Sequence, residues 1–142
     1  MLPDNSLRSK VYELERHMLS MPSAVHLIEL KHYFSPGVYA REVRIPAGMT
    51  LTGKIHKYSQ LNILSQGKMS VLTENGIQEV EASFTVVSPA GTKRAAYAHT
   101  ECVWITILHT NENDPELIEK LFTLENENDW LEFNNSKQLE LF

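Results

Sequence analysis

The chain has 142 residues, 42% apolar and 22% charged, which suits one domain around one core and excludes a compositionally disordered chain. A formal net charge of −5 argues against general nucleic-acid binding, and the absence of any apolar run of about 18 residues excludes a membrane-spanning helix. The single cysteine, Cys102, rules out an internal disulfide or a thiolate zinc cluster, and with no apolar leader segment at the N-terminus a cytoplasmic protein is expected.

Leu7, Val11, Leu14 and Met18 recur at helical spacing, which predicts a helix over residues 6–19 with Ser6 as its N-cap and Pro22 as its stop. From Ala24 the apolar period falls toward two. Nine short strands are predicted: His26–Phe34, Val38–Ile45, Met49–His56, Leu61–Ser65, Lys68–Thr73, Ile77–Glu81, Phe84–Ser88, Lys93–His99 and Cys102–His109. Turn residues separate them, and Asn75-Gly76 reads as a type I′ hairpin turn. Many short strands at this spacing predict an all-β sandwich or barrel. A second helix is predicted over residues 115–125, with Pro115 at its first position, Asp114 as its cap and Leu117, Ile118, Leu121 and Phe122 as its apolar stripe. Residues 125–137 are acidic and polar and read as a loop or flexible tail. The expected organisation is an N-terminal helix over 1–23, a barrel over 24–110, and a helix with an acidic tail over 111–142.

Two segments carry a recognisable cadence. In the first, Gly48 is followed by Lys54, His56, Gln60 and Gly67 at the spacing G-x5-H-x-H-x3-E-x6-G. In the second, Pro89-Ala90-Gly91-Thr92-Lys93-Arg94 follows P-x-G-x-x-H, with Arg94 at the histidine. Ser83 and Ala98 stand where the second pattern has a further glycine and asparagine. Together these resemble the two motifs of the cupin superfamily, over roughly residues 24–109. The wording also looks like small single-domain cupin-like proteins of phages and some bacteria. The resemblance implies a cupin barrel, a double-stranded β-helix or jelly roll, with a short helix at each end, and a place in the host cytoplasm if a phage encodes it.

The cupin register implies which side chains face inward: Tyr39, Arg41, Val43 and Ile45; Lys54 and His56; Gln60, Asn62 and Leu64; Arg94, Ala96 and Ala98. Cupin metals take three histidines and a carboxylate. The corresponding positions here are Lys54, His56, Gln60 and Arg94, of which only His56 ligates, so no metal or other cofactor is expected. Arg41, Lys54 and Arg94 instead converge with no predicted acid beside them. Buried cations need an anionic partner, so the expectation is non-catalytic binding of a small phosphate- or nucleotide-like anion by Arg41, Lys54, His56, Gln60, Asn62 and Arg94, with Tyr39 as a stacking face. An alternative is an isomerase, lyase or metal-dependent enzyme using His56.

The chain ends Gln138-Leu139-Glu140-Leu141-Phe142. This resembles the QL-x-LF peptide by which bacterial proteins dock on the DNA polymerase sliding clamp. The resemblance implies an interaction role, with Gln138, Leu139, Leu141 and Phe142 as the contacts. A homodimer is also expected, through Trp104 and Ile105 on an outer sheet face and the apolar side of the first helix.

Overall fold

The computed structural model describes residues 5–20, 28–73 and 75–140. The elements are α1 (Asn5–Ser20), β1 (Glu29–Ser35), β2 (Val38–Ile45), β3 (Thr50–Thr52), β4 (Ile55–His56), β5 (Gln60–Gln66), β6 (Lys68–Thr73), β7 (Gly76–Glu81), β8 (Phe84–Ser88), β9 (Ala95–Ala98), β10 (Cys102–His109), α2 (Pro115–Phe122), β11 (Thr123–Leu124) and α3 (Glu127–Glu140). All pairings are antiparallel. One sheet runs β1-β2-β10-β5-β8, a second runs β3-β9-β6-β7, and β4 pairs with β11.

The two large sheets face each other across an apolar core of Ile45, Met49, Leu64, Met69, Val71, Val80, Ala98 and Cys102. Alternation explains the layout. Inward residues of β2 lie opposite inward residues of β10, as in Arg41 with Thr106 and Val43 with Trp104, while outward residues between them meet solvent. Helix α1 lays Leu7 and Val11 on Ala95, with Leu14 and Leu72 alongside. Its apolar face is therefore covered within the chain. Trp104 likewise faces the interior. Trp104 thus leaves the expected dimer contact, while Ile105, an odd-numbered residue, lies on the opposite side of β10.

Two glycines are fixed by their surroundings. Gly67 has φ +97°, and a Cβ there would lie 2.3 Å from the Glu101 carbonyl oxygen. Gly91 has φ +87°, and a Cβ there would lie 2.7 Å from the Trp130 ring.

Several expectations need correction. The Met49–His56 strand is split into β3 and β4 at Gly53-Lys54. The β6–β7 hairpin forms, but Gly76 pairs with Thr73 as the first residue of β7, so Asn75-Gly76 is not the central pair of its turn. Helix α1 already includes Asn5, which places Ser6 inside it, while Pro22 lies outside the described residues. Asp114 caps α2 by accepting from the Glu116 amide at 3.1 Å. That helix ends at Phe122, because Thr123 and Leu124 turn extended to pair with His56 and Ile55. Residues 127–140 form α3 in place of the expected flexible tail.

Helix α3 is held by specific contacts. Trp130 is buried, and the Arg8 guanidinium stacks on its ring at 5.5 Å. Arg8 also donates to Glu127 through Nε at 2.8 Å and Nη2 at 2.9 Å, a two-point ion pair joining α1 to α3. Both helices thus close over the Pro89–Gly91 turn. Gln138, Leu139 and Glu140 belong to the end of α3, and Leu141 and Phe142 lie outside the described residues.

Candidate functional site

The barrel interior holds a two-lobed cavity. The lobes have volumes of about 140 Å³ and about 110 Å³ and share Arg41, His56, Gln60 and Thr106 as a polar waist. The outer lobe lies beneath α2, against Ile118, Glu119 and Phe122, with Tyr39 on its wall. The inner lobe lies between the sheets, walled by Val43, Leu51, Met69, Val71, Ala96 and Trp104, and Arg94 closes it.

Each waist residue arrives from a different element. Strand β2 supplies Arg41, β4 supplies His56, β5 supplies Gln60 and β10 supplies Thr106. Arg94 stands just before β9, where its carbonyl accepts from the Gly53 amide at 3.0 Å. Its Nη2 donates to Ser88 Oγ, and its guanidinium lies 5.7 Å from the Trp104 ring centre. Ser88 in turn accepts from Asn62 Nδ2 at 2.8 Å, and Thr106 donates to Asn62 Oδ1 at 2.9 Å. This chain of bonds crosses β8, β5 and β10 and sets the place of Arg94.

Three polar atoms around this cavity are buried without a hydrogen-bond partner: Arg41 Nε, Arg94 Nε and Gln60 Oε1. Gln60 is only 6% exposed. A buried polar atom left unsatisfied costs about 1–3 kcal/mol, more when charged. Two charged donors and one amide oxygen thus lie unsatisfied in residues that line one cavity.

The electrostatics agree. Burial is the main reason that the His56 pKa falls to about 4, with Arg41, Arg94 and Lys93 adding repulsion. His56 is therefore a neutral imidazole near pH 7. Burial also lowers the Arg94 pKa, although a guanidinium remains charged at neutral pH. Burial raises the Tyr39 pKa, and its hydroxyl lies 2.7 Å from His32 Nδ1. Tyr39 is stacked between His32 and Phe34.

Of the seven residues expected to hold the ligand, Tyr39, Arg41, His56, Gln60 and Arg94 line the cavity. Two do not. Lys54 turns outward and pairs with Glu119 at 3.2 Å and Glu125 at 2.7 Å. The break between β3 and β4 interrupts the alternation, and α2 with β11 presents acids to it. Asn62 is fully buried one layer behind the wall, where its bonds to Ser88 and Thr106 occupy it. Sequence reasoning missed Thr106, Trp104, Ser88 and Glu119. The alternation of Cys102–His109 carried a signal for Trp104 and Thr106. Glu119 depended on how α2 folds back, which local pattern does not encode.

The metal of cupins does not fit these residues. The four positions present one imidazole, one amide, one guanidinium and an outward lysine, and no group of three or more His, Cys, Asp or Glu side chains comes together among the described residues.

No protein-family model matches the chain, and no curated protein matches it. Among solved structures it is similar to KdgF from Halomonas sp., at TM-score 0.52 and 18% identity over 64% of this chain and 87% of that one. It is similar also to a cupin superfamily protein from Desulfitobacterium hafniense, at TM-score 0.51 and 11% identity over 64% and 84%. An HTH_3 family transcriptional regulator from Vibrio cholerae matches at TM-score 0.49 and 13% identity over 60% of this chain, which spans about half, 52%, of that protein. The fold is thus an all-β cupin jelly roll with short helices.

Proposed function

We propose that this cupin barrel binds a small anionic ligand in its interior without transforming it. The observation that carries the reading is the pair of buried, unpartnered guanidinium donors Arg41 Nε and Arg94 Nε on one cavity. An anion would accept from both guanidinium groups and offset two charges otherwise costly to bury. Each lobe is smaller than the roughly 300 Å³ at which common ligand pockets begin, so the anion is a compact one rather than a whole nucleotide. A thermal-shift screen of phosphates and carboxylates tests the reading. Stabilisation of the wild-type protein that is lost in Arg94→Met is expected; a screen without any stabilising anion would overturn it.

His56 supports a second reading. A neutral imidazole beside two guanidinium groups is free to take a proton next to a bound carboxylate, although a pKa of about 4 makes it a weak base. Deuterium exchange from solvent into a bound ligand, abolished in His56→Gln while binding persists, would favour this enzyme.

A further inference from the structure

We infer that the ligand is an organic carboxylate with a short branched or aromatic arm, its carboxylate at the waist and its arm in the inner lobe. This rests on the anion-binding reading and adds the chemical class of the anion.

The shape of the cavity carries the inference. The polar atoms are confined to the waist and to Arg94, whereas the inner lobe beyond them is walled by Val43, Leu51, Met69, Val71 and Trp104. A bare inorganic anion at the waist would leave that apolar lobe empty, since water there lacks the two to four polar partners that it needs. An apolar arm satisfies the same surface. At about 110 Å³ the lobe suits a few carbon atoms or one small ring, and excludes a long chain.

Charge fixes the orientation. Glu119 stands on the outer lobe, and its ion pair with Lys54 lies on the outward side. A carboxylate is repelled from that lobe and drawn to Arg41 and Arg94. The Arg94 guanidinium is held against Trp104 and Ser88, so its remaining donor edge is set in advance. Exchange of the Gln60 amide oxygen and nitrogen would put Nε2 where Oε1 is now unpartnered, and that N–H group would donate to the second carboxylate oxygen.

Calorimetric titration of the wild-type protein with acetate, isovalerate, phenylacetate, isovaleramide and inorganic phosphate tests this. Isovalerate or phenylacetate should bind about tenfold or more tighter than acetate, and the uncharged isovaleramide should lose most of that affinity. Ala96→Leu, which fills the inner lobe, should weaken the armed carboxylates while leaving acetate within about twofold. Should acetate or phosphate bind as tightly as the armed acids, the arm is wrong while the anion pocket stands. Should isovaleramide match isovalerate, or no anion bind at all, the anion pocket itself fails.

Discussion

At the scale of single residues, the interior is built against its own stability. Arg94 is held by Ser88 and Trp104 but keeps a buried Nε without a partner. Replacing a buried cation that lacks a countercharge with an apolar side chain is often neutral or stabilising. In Arg94→Met the ligand-free protein should melt at the wild-type temperature or above it, as differential scanning calorimetry would show. A fall of many degrees would make Arg94 a structural residue. His56 gives a second test. Its folded pKa, about 4, lies below the ordinary value of 6.5, so the unfolded chain binds the proton more readily. Its contribution is present above about pH 6.5 and is lost as the pH falls toward 4. Arg41, Arg94 and Lys93 face it with positive charge, and Glu119 stands on the same lobe from α2. A shift of this size corresponds to about 3 kcal/mol across that window. Denaturant midpoints measured from pH 7 to pH 4 should fall more steeply in the wild type than in His56→Gln.

Between elements, the helices decide how the barrel is closed. Helix α3 buries Trp130 over the second-motif glycine and ties Glu127 to Arg8 of α1. Trp130→Ala should lower unfolding stability by about 3–5 kcal/mol, measured by chemical denaturation, as expected for a buried indole. A loss below about 1 kcal/mol would mean that α3 is a loosely attached appendage. The strands were legible from their β-branched and aromatic runs and from the turn residues between most of them: Val38–Ile45, Lys68–Thr73, Phe84–Ser88 and Cys102–His109 run between their sequence-predicted bounds. Helix α3 was not legible. Its apolar residues are few and lack helical spacing, and what holds it is Arg8, more than a hundred positions away in the chain. The same physics explains Lys54. Alternation placed it inward, but a two-residue break in the strand and acids returning on α2 and β11 turned it out. Local periodicity reads strands well and long-range charge pairing badly.

For the whole molecule, the Gly48–Gly67 and Pro89–Arg94 segments serve architecture more than metal chemistry. Gly67 and Gly91 keep their places because backbone and Trp130 crowd them, whatever the interior holds. The interior presents two guanidinium groups, an amide and a neutral imidazole. Such a cavity stabilises the fold only when filled, and ligand binding should raise the unfolding temperature in proportion to the logarithm of ligand concentration. The Nε–H groups of Arg41 and Arg94 report this occupancy directly. Their ¹⁵N–¹H resonances should both move on titration with isovalerate or phosphate and reach a common saturation. If only resonances of exposed arginines such as Arg44 move, the interior takes no anion and the central claim is contradicted.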